Sequence, residues 1–259
     1  MDALFGKTAL VTGAAGDIGA AIARLFLERG ARVHITDADG EKLESRLAEL
    51  MPFGTVSSAV CDLADPGQVA RLATDALGSL GQVDILVNNA AIQAQGGMDD
   101  CTQSLFDAAY AVNVRAPFLL ARALLPCMQA AGGGAVINIS SIHATAPGPQ
   151  RIAYATTKSA LLGLTRAMAV DLGPDNIRVN AVSPGATLTS QLTEAWGRLE
   201  VNGSSVMAHA ERQHPLGHIA NPLDIAQAVA YLAGANSVTG VELRVDGGLL
   251  SSLRLLPRD

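Results

Sequence analysis

The chain has 259 residues, of which 49% are hydrophobic and only 16% charged, so it is too apolar for disorder and long enough to bury the core of one large domain. A net charge of −6 argues against a nucleic-acid surface or an anionic membrane as partner and in favour of a small molecule. Cys61, Cys101 and Cys127 form no CxxC pair, and the apolar stretch 116–128 is interrupted by Pro117 and Arg122, so a soluble cytoplasmic protein with no metal site and no disulfide framework is expected.

In chain order, short apolar runs alternate with longer segments of 3.6-residue period, the rhythm of repeated βαβ units. Strands are predicted near 7–12, 31–36, 55–61, 83–88, 134–140, 177–182 and 241–245, with helices between them. The expected fold is α/β, a single-domain Rossmann fold whose doubly wound parallel seven-stranded sheet carries helices on both faces. Strand-like alternation begins by Lys7, so no signal peptide is expected. The first helix shows the pattern best, with Ile18, Ala21, Ile22, Leu25 and Phe26 on one stripe and Gly30 at its end.

Between the first strand and that helix, "VTGAAGDIG" carries Gly13, Gly16 and Gly19, which permit a tight turn, close phosphate approach and close helix packing. On its own the triplet reads equally as an ordinary βα turn. Asp17 falls where the helix begins; an Asp there serves as N-cap, its side chain turned back onto the helix and away from phosphates. Asp37 ends the second strand, where a carboxylate accepts hydrogen bonds from an adenosine ribose and repels a 2′-phosphate. No Arg or Lys stands at Gly16 or Ala38 to compensate, so NAD is expected rather than NADP.

Further along, "NISSIHA" sets Ser141 at the end of the fifth strand, and "YATTK" sets Tyr154 and Lys158 four apart on one helix face. A free phenol has a pKa of about 10, and a neighbouring ammonium lowers it, as a proton-transferring tyrosine requires. Alone, such a pair reads as surface decoration; Ser141 at a strand end ties it to the edge where parallel sheets bind ligands. A polar, Trp-bearing insertion over about 186–221 reads either as a substrate loop or as an extra surface helix pair.

These residues together resemble the short-chain dehydrogenases/reductases, in their compact single-domain branch, over nearly the whole chain. "TGAAGDIG", "CDLADP", "NNAA", "AVNVRAPF", "SSIHATAPGPQRIAYATTK", "IRVNAVSPGATLT" and "TGVELRVDGG" match that family's motifs in order. Two positions depart. Asp17 stands where the compact branch has Gly, a spacing similar to the extended sugar-nucleotide epimerase branch, and Ala91 replaces the Gly of NNAG.

The resemblance implies hydride transfer at the nicotinamide, with Tyr154 moving the proton and Ser141 hydrogen-bonding the substrate oxygen. Lys158 would lower the tyrosine pKa and hold the nicotinamide ribose, and Asn113 would anchor a water that relays the proton. Cofactor contacts are implied for Gly13, Gly16, Asp17, Ile18 and Gly19 at the pyrophosphate, Asp37 at the ribose, and Asp62 and Leu63 at the adenine. Asn89 and Ala90 would form the adjoining wall, with Pro184, Gly185, Thr187 and Thr189 at the carboxamide. A homotetramer packed through the helices near 101–131 and 153–173 is also implied, with the apolar tail 249–259 docking on a neighbour.

Gln93, His143, Gln150 and Trp196 lie in segments that border the substrate, and polar groups on several walls favour a sugar, polyol or hydroxy acid. His143 reads either as a donor to the substrate or as a locally bonded loop residue. The expected activity interconverts a secondary alcohol and a ketone, or a lactol and a lactone, with oxidation favoured. The rivals are a 3-oxoacyl-thioester reductase, a sugar-nucleotide epimerase and a non-catalytic dinucleotide sensor.

Overall fold

The computed structural model describes residues 3–252 apart from 198, 202 and 203. In chain order its main elements are β1 (Thr8–Thr12), α1 (Asp17–Glu28), β2 (Arg32–Asp37), α2 (Gly40–Leu50), β3 (Val56–Val60), α3 (Pro66–Leu80), β4 (Ile85–Asn88) and α4 (Gln103–Tyr110). Then follow α5 (Ala116–Ala130), β5 (Gly134–Ile139), α6 (Ile152–Leu172), β6 (Ile177–Pro184), α7 (Ser190–Trp196), β7 (Glu200–Val201), β8 (Ser204–Ser205), α8 (Val206–Gln213), α9 (Pro222–Gly234) and β9 (Glu242–Val245). Seven strands form one sheet in the order β3-β2-β1-β4-β5-β6-β9, every pair parallel. Each lies close to its expected place.

A parallel sheet covered on both faces needs strands that are apolar on both sides, and the pleat sorts them. Along β1, Ala9 and Val11 enter one core while Leu10 enters the other; Ile85 and Val87 part from Leu86 in the same way. The first core is closed by α1, α2 and α9 through Ile22, Phe26, Leu43 and Val229. The second is closed by α3, α5 and α6 through Leu72, Leu120, Leu124 and Met168. A π-helical turn, Ala111–Arg115, joins α4 to α5. The resulting rod, Gln103–Ala130, is long and apolar enough to cross a membrane by length and composition, yet Ala116, Leu120, Leu124 and Met128 are spent in the second core.

The chain leaves β1 toward β2 on one side, and β4 pairs on the other side of β1, so the strand order reverses between β1 and β4. A crevice opens there at the carboxyl ends of the strands, the usual ligand edge of such sheets. The expected insertion folds as α7 and α8 around the short antiparallel ladder of β7 and β8. Of the apolar tail, residues 253–259 lie outside the described residues.

Candidate active site

A cavity of about 1030 Å³ follows that crevice. At its floor Gly13 has φ +68°, and a Cβ there would stand 2.7 Å from the Ala90 Cα. A Cβ on Gly19 would run into the Gly13 carbonyl, so both glycines are required by packing. Gly16 is different: a Cβ would make only ordinary contact with the Gly13 carbonyl, at 3.5 Å. Asn89 donates to the carbonyls of Thr12 (2.9 Å) and Gly13 (3.0 Å), stapling the turn to β4.

Asp17 does not cap the helix. Gly16 holds the extended cap conformation (φ −79°, ψ 156°) without a side-chain bond, so Asp17 is already the first helical residue and its oxygens point elsewhere. One oxygen pairs with the Arg46 guanidinium of α2; the other accepts from the backbone N–H (2.6 Å) and hydroxyl (2.8 Å) of Ser190 at the start of α7. Burial would push this carboxyl up, but the Ser190 hydrogen bonds and the Arg46 charge together hold it below the usual carboxylate value. Arg46 also donates through Nε to the Ala15 carbonyl (3.2 Å), so a cation does stand near the glycine turn, with its charge shared between Asp17 and Glu49.

Asp37 is fixed at the cavity wall by the N–H groups of Ala15 (3.1 Å) and Asp39 (3.2 Å). Ile18, Asp62, Leu63, Ala90, Pro184, Gly185, Thr187 and Thr189 also line the cavity. The Thr189 hydroxyl is used as a cap, accepting from the Leu192 N–H at 3.2 Å. A glycine turn at the start of α1, a carboxylate at the end of β2 and a buried lysine beyond β5, all lining one cavity, together fit a dinucleotide laid along the crevice.

At the far side of the switch point, Ser141 follows β5 and lines the cavity together with Tyr154 of α6. Lys158 lies one turn on, 2% exposed, its Nζ 5.6 Å from the Tyr154 ring centre and 2.7 Å from the Ile139 carbonyl to which it donates. The proton affinities run opposite to the sequence-based expectation. Burial pushes the Tyr154 phenol up, with Ser141 and the Arg151 charge opposing, while burial alone pushes Lys158 down to about 7. Burial thus disfavours the charged form of both groups.

His143 is bonded locally within its loop and also lines the cavity. Its Nδ1 accepts from the Gly148 N–H at 3.0 Å, which leaves the ring hydrogen of the neutral form on Nε2, and the ring meets Tyr154 edge-on at 6.0 Å. Burial and the Arg151 charge keep its pKa below the ordinary value, so neutral imidazole prevails at pH 7. Gln93 and Trp196 line the cavity as expected. Gln150 does not. Its φ of +58° turns the side chain over Gly97, where the amide lies 3.0 Å from the position of an added Cβ, away from the cavity wall. Asn113 is also set back: its amide bonds the backbone of Ile92 (2.8 and 3.1 Å) and the Thr157 hydroxyl (3.0 Å), none of them Lys158.

Residues 13–250 match a family profile described as enoyl-(acyl carrier protein) reductase. Dehydrogenase/reductase SDR family member 4 from Homo sapiens is 37% identical over 97% of this chain and 90% of its own length. The chain belongs to the short-chain dehydrogenase/reductase family. Among solved members, L-sorbose reductase from Gluconobacter frateurii, complexed with NADPH and L-sorbose, superposes with a TM-score of 0.92 at 31% identity, covering 98% of this chain and 100% of that one. An NAD⁺-bound xylitol dehydrogenase gives 0.88 at 30% identity, covering 95% and 99%.

In this short-chain dehydrogenase/reductase, the sequence reading passes over four residues that complete the site. Arg151 lines the cavity and acts electrostatically on both His143 and Tyr154; its place beside "YATTK" is the one local clue. Arg46 and Ser190 reach Asp17 from distant parts of the chain. His214, buried in the cavity wall, uses Nδ1 on the Ala210 carbonyl (2.7 Å) and leaves Nε2 as an acceptor without a partner among the described residues. None of these three sits in a readable motif.

Proposed function

We propose that the protein is an NAD-dependent oxidoreductase that interconverts a secondary alcohol and a ketone, or a lactol and a lactone, on a sugar, polyol or hydroxy acid. The observation that carries this reading is that Ser141, Tyr154 and buried Lys158 line the same cavity as Asp37, with the Lys158 Nζ 5.6 Å from the Tyr154 ring centre. When bound, the dinucleotide would supply a nicotinamide carbon that gives or takes a hydride. Ser141 then holds the substrate oxygen, and Tyr154 exchanges a proton with that same oxygen. A charged Lys158 favours phenolate, which oxidation of an alcohol requires. Asn113 sets the backbone at Ile92, and with it the wall behind the reacting groups.

NAD is supported by the Asp37 carboxylate, which would face the doubly anionic 2′-phosphate of NADP, and by the absence of an uncommitted Arg beside it at Gly16 or Ala38. A hydroxylated substrate is supported by Gln93, His143 and His214 on separate walls. An acidic carrier protein would meet a surface of net charge −6, which disfavours the acyl-thioester reading. The test is an absorbance screen of sugars, polyols, hydroxy acids and secondary alcohols with each nucleotide. Turnover with NAD is expected to exceed that with NADP by about tenfold or more in kcat/KM. Equal use of NADP, or turnover of an acetoacetyl thioester alone, would overturn the reading.

We also infer a cytoplasmic homotetramer. Tyr110 of α4, Phe118 of α5 and Val170 of α6 are apolar side chains left 47%, 42% and 77% exposed, and burying them against further copies supports that assembly. Light scattering on the purified protein should give four times the chain mass; a monomer sinks the inference.

A further inference from the structure

We propose that Asp17 is a positioning residue that latches helix α7 to the glycine turn and thereby sets the rate at which the cofactor leaves; this rests on the dinucleotide reading above. A carboxylate in a phosphate-binding turn is a repulsive element unless its charge is consumed, and here it is consumed completely. Arg46 takes one oxygen, and the Ser190 N–H and hydroxyl take the other at 2.6 and 2.8 Å. Arg46 is itself braced on the Ala15 carbonyl and on Glu49, so the carboxylate is held from the α2 side while it holds α7 on the other.

The consequence follows from what stands on either side of the contact. Gly16, Ile18 and Gly19 line the cavity on the turn side, and Thr189, Leu192 and Trp196 line it on the α7 side. Asp17 and Ser190 are cavity-wall residues too, so their bond ties two opposed walls together where a dinucleotide running from Asp37 toward Tyr154 must pass. A Gly at this position would supply no such tie. The carboxylate therefore couples the turn that takes the phosphates to the helix that borders the substrate.

The chain carries a single tryptophan, and it lies in α7. Its emission is a built-in reporter of that helix. Two measurements on the full chain test the proposal: acrylamide quenching of Trp196 with no nucleotide present, and stopped-flow release of NADH chased by excess NAD. In Asp17→Ala, quenching should rise and NADH should leave roughly tenfold faster, the size that two charge-assisted hydrogen bonds at a partly exposed site carry. Asp17→Asn, whose amide oxygen still accepts from Ser190, should recover part of both effects. Ser190→Ala, which loses the hydroxyl and keeps the N–H, should fall between, and it serves as the test if Asp17→Ala does not fold.

Quenching and release within twofold of the natural protein would overturn the proposal, as would changed quenching with unchanged release. Slower release on removing the carboxylate would show that Asp17 acts as a phosphate repeller instead. If the natural protein fails to bind NADH at all, the cofactor reading and the claim on release both fall, while Trp196 quenching still decides whether the latch exists.

Discussion

Replacing Tyr154 by Phe is expected to lower kcat by at least about a thousandfold, the loss that goes with removing a positioned proton-transfer group, while NADH affinity stays within about twofold. The substitution removes one hydroxyl and keeps the ring. That ring packs edge-on against His143, and a phenylalanine preserves the contact. Ser141 keeps its own engagement by accepting from the His143 N–H at 3.2 Å, so the loop after β5 is not released. Among the described residues, the hydrogen bonds of the glycine turn and of Asp37 go to groups other than Tyr154. Loss of rate without loss of binding is what a proton carrier predicts, whereas a merely structural tyrosine would lose both through disorder. Turnover with the best substrate from the screen, together with a fluorescence titration of NADH, reads the two quantities separately. Turnover within tenfold of the natural protein would refute the assignment of the proton to this residue.

What the chain revealed before its fold was seen divides along a physical line. The glycine turn, Asp37 and the order Ser141, Tyr154, Lys158 were legible because each depends on local spacing: a strand end, a tight turn, one helix face. The seven strands were legible for the same reason, since apolar runs such as Thr8–Thr12 are continuous only where both faces of a sheet are covered. Three features were not legible. Asp17 looked like a cap because caps are local, yet its partners Arg46 and Ser190 lie 29 and 173 residues away, and only tertiary packing brings them together. Gln150 was expected at the substrate wall, but a left-handed backbone conformation, unmarked in the sequence, aims it at Gly97. The tyrosine and lysine acidities were inverted because spacing shows that two groups are near each other, whereas desolvation depends on everything else packed around them.

That inversion leads to the second large effect, in Lys158→Met. Turnover should fall by about a hundredfold or more, because the cation that favours phenolate is gone, and NADH should bind more weakly. The fold, in contrast, should become more stable. An unfolded chain keeps this lysine protonated up to its ordinary value of 10.5, whereas burial in the fold pushes it down to about 7. Between those values the unfolded state binds the additional proton, so stability rises with pH across the window, and below pH 7 the full cost of the buried charge is present. Methionine fills nearly the same volume without that cost and forfeits the hydrogen bond to the Ile139 carbonyl. The balance is a gain on the order of 2 kcal/mol at pH 6, read as a melting temperature a few degrees higher. The gain should shrink steadily toward pH 10, where the natural lysine is neutral in the fold. A variant destabilised equally at both pH values would mean that Lys158 is a structural peg. A variant stabilised at low pH and inactive throughout would mean that the fold carries an unpaired buried cation at a cost, retained for the proton chemistry at Tyr154.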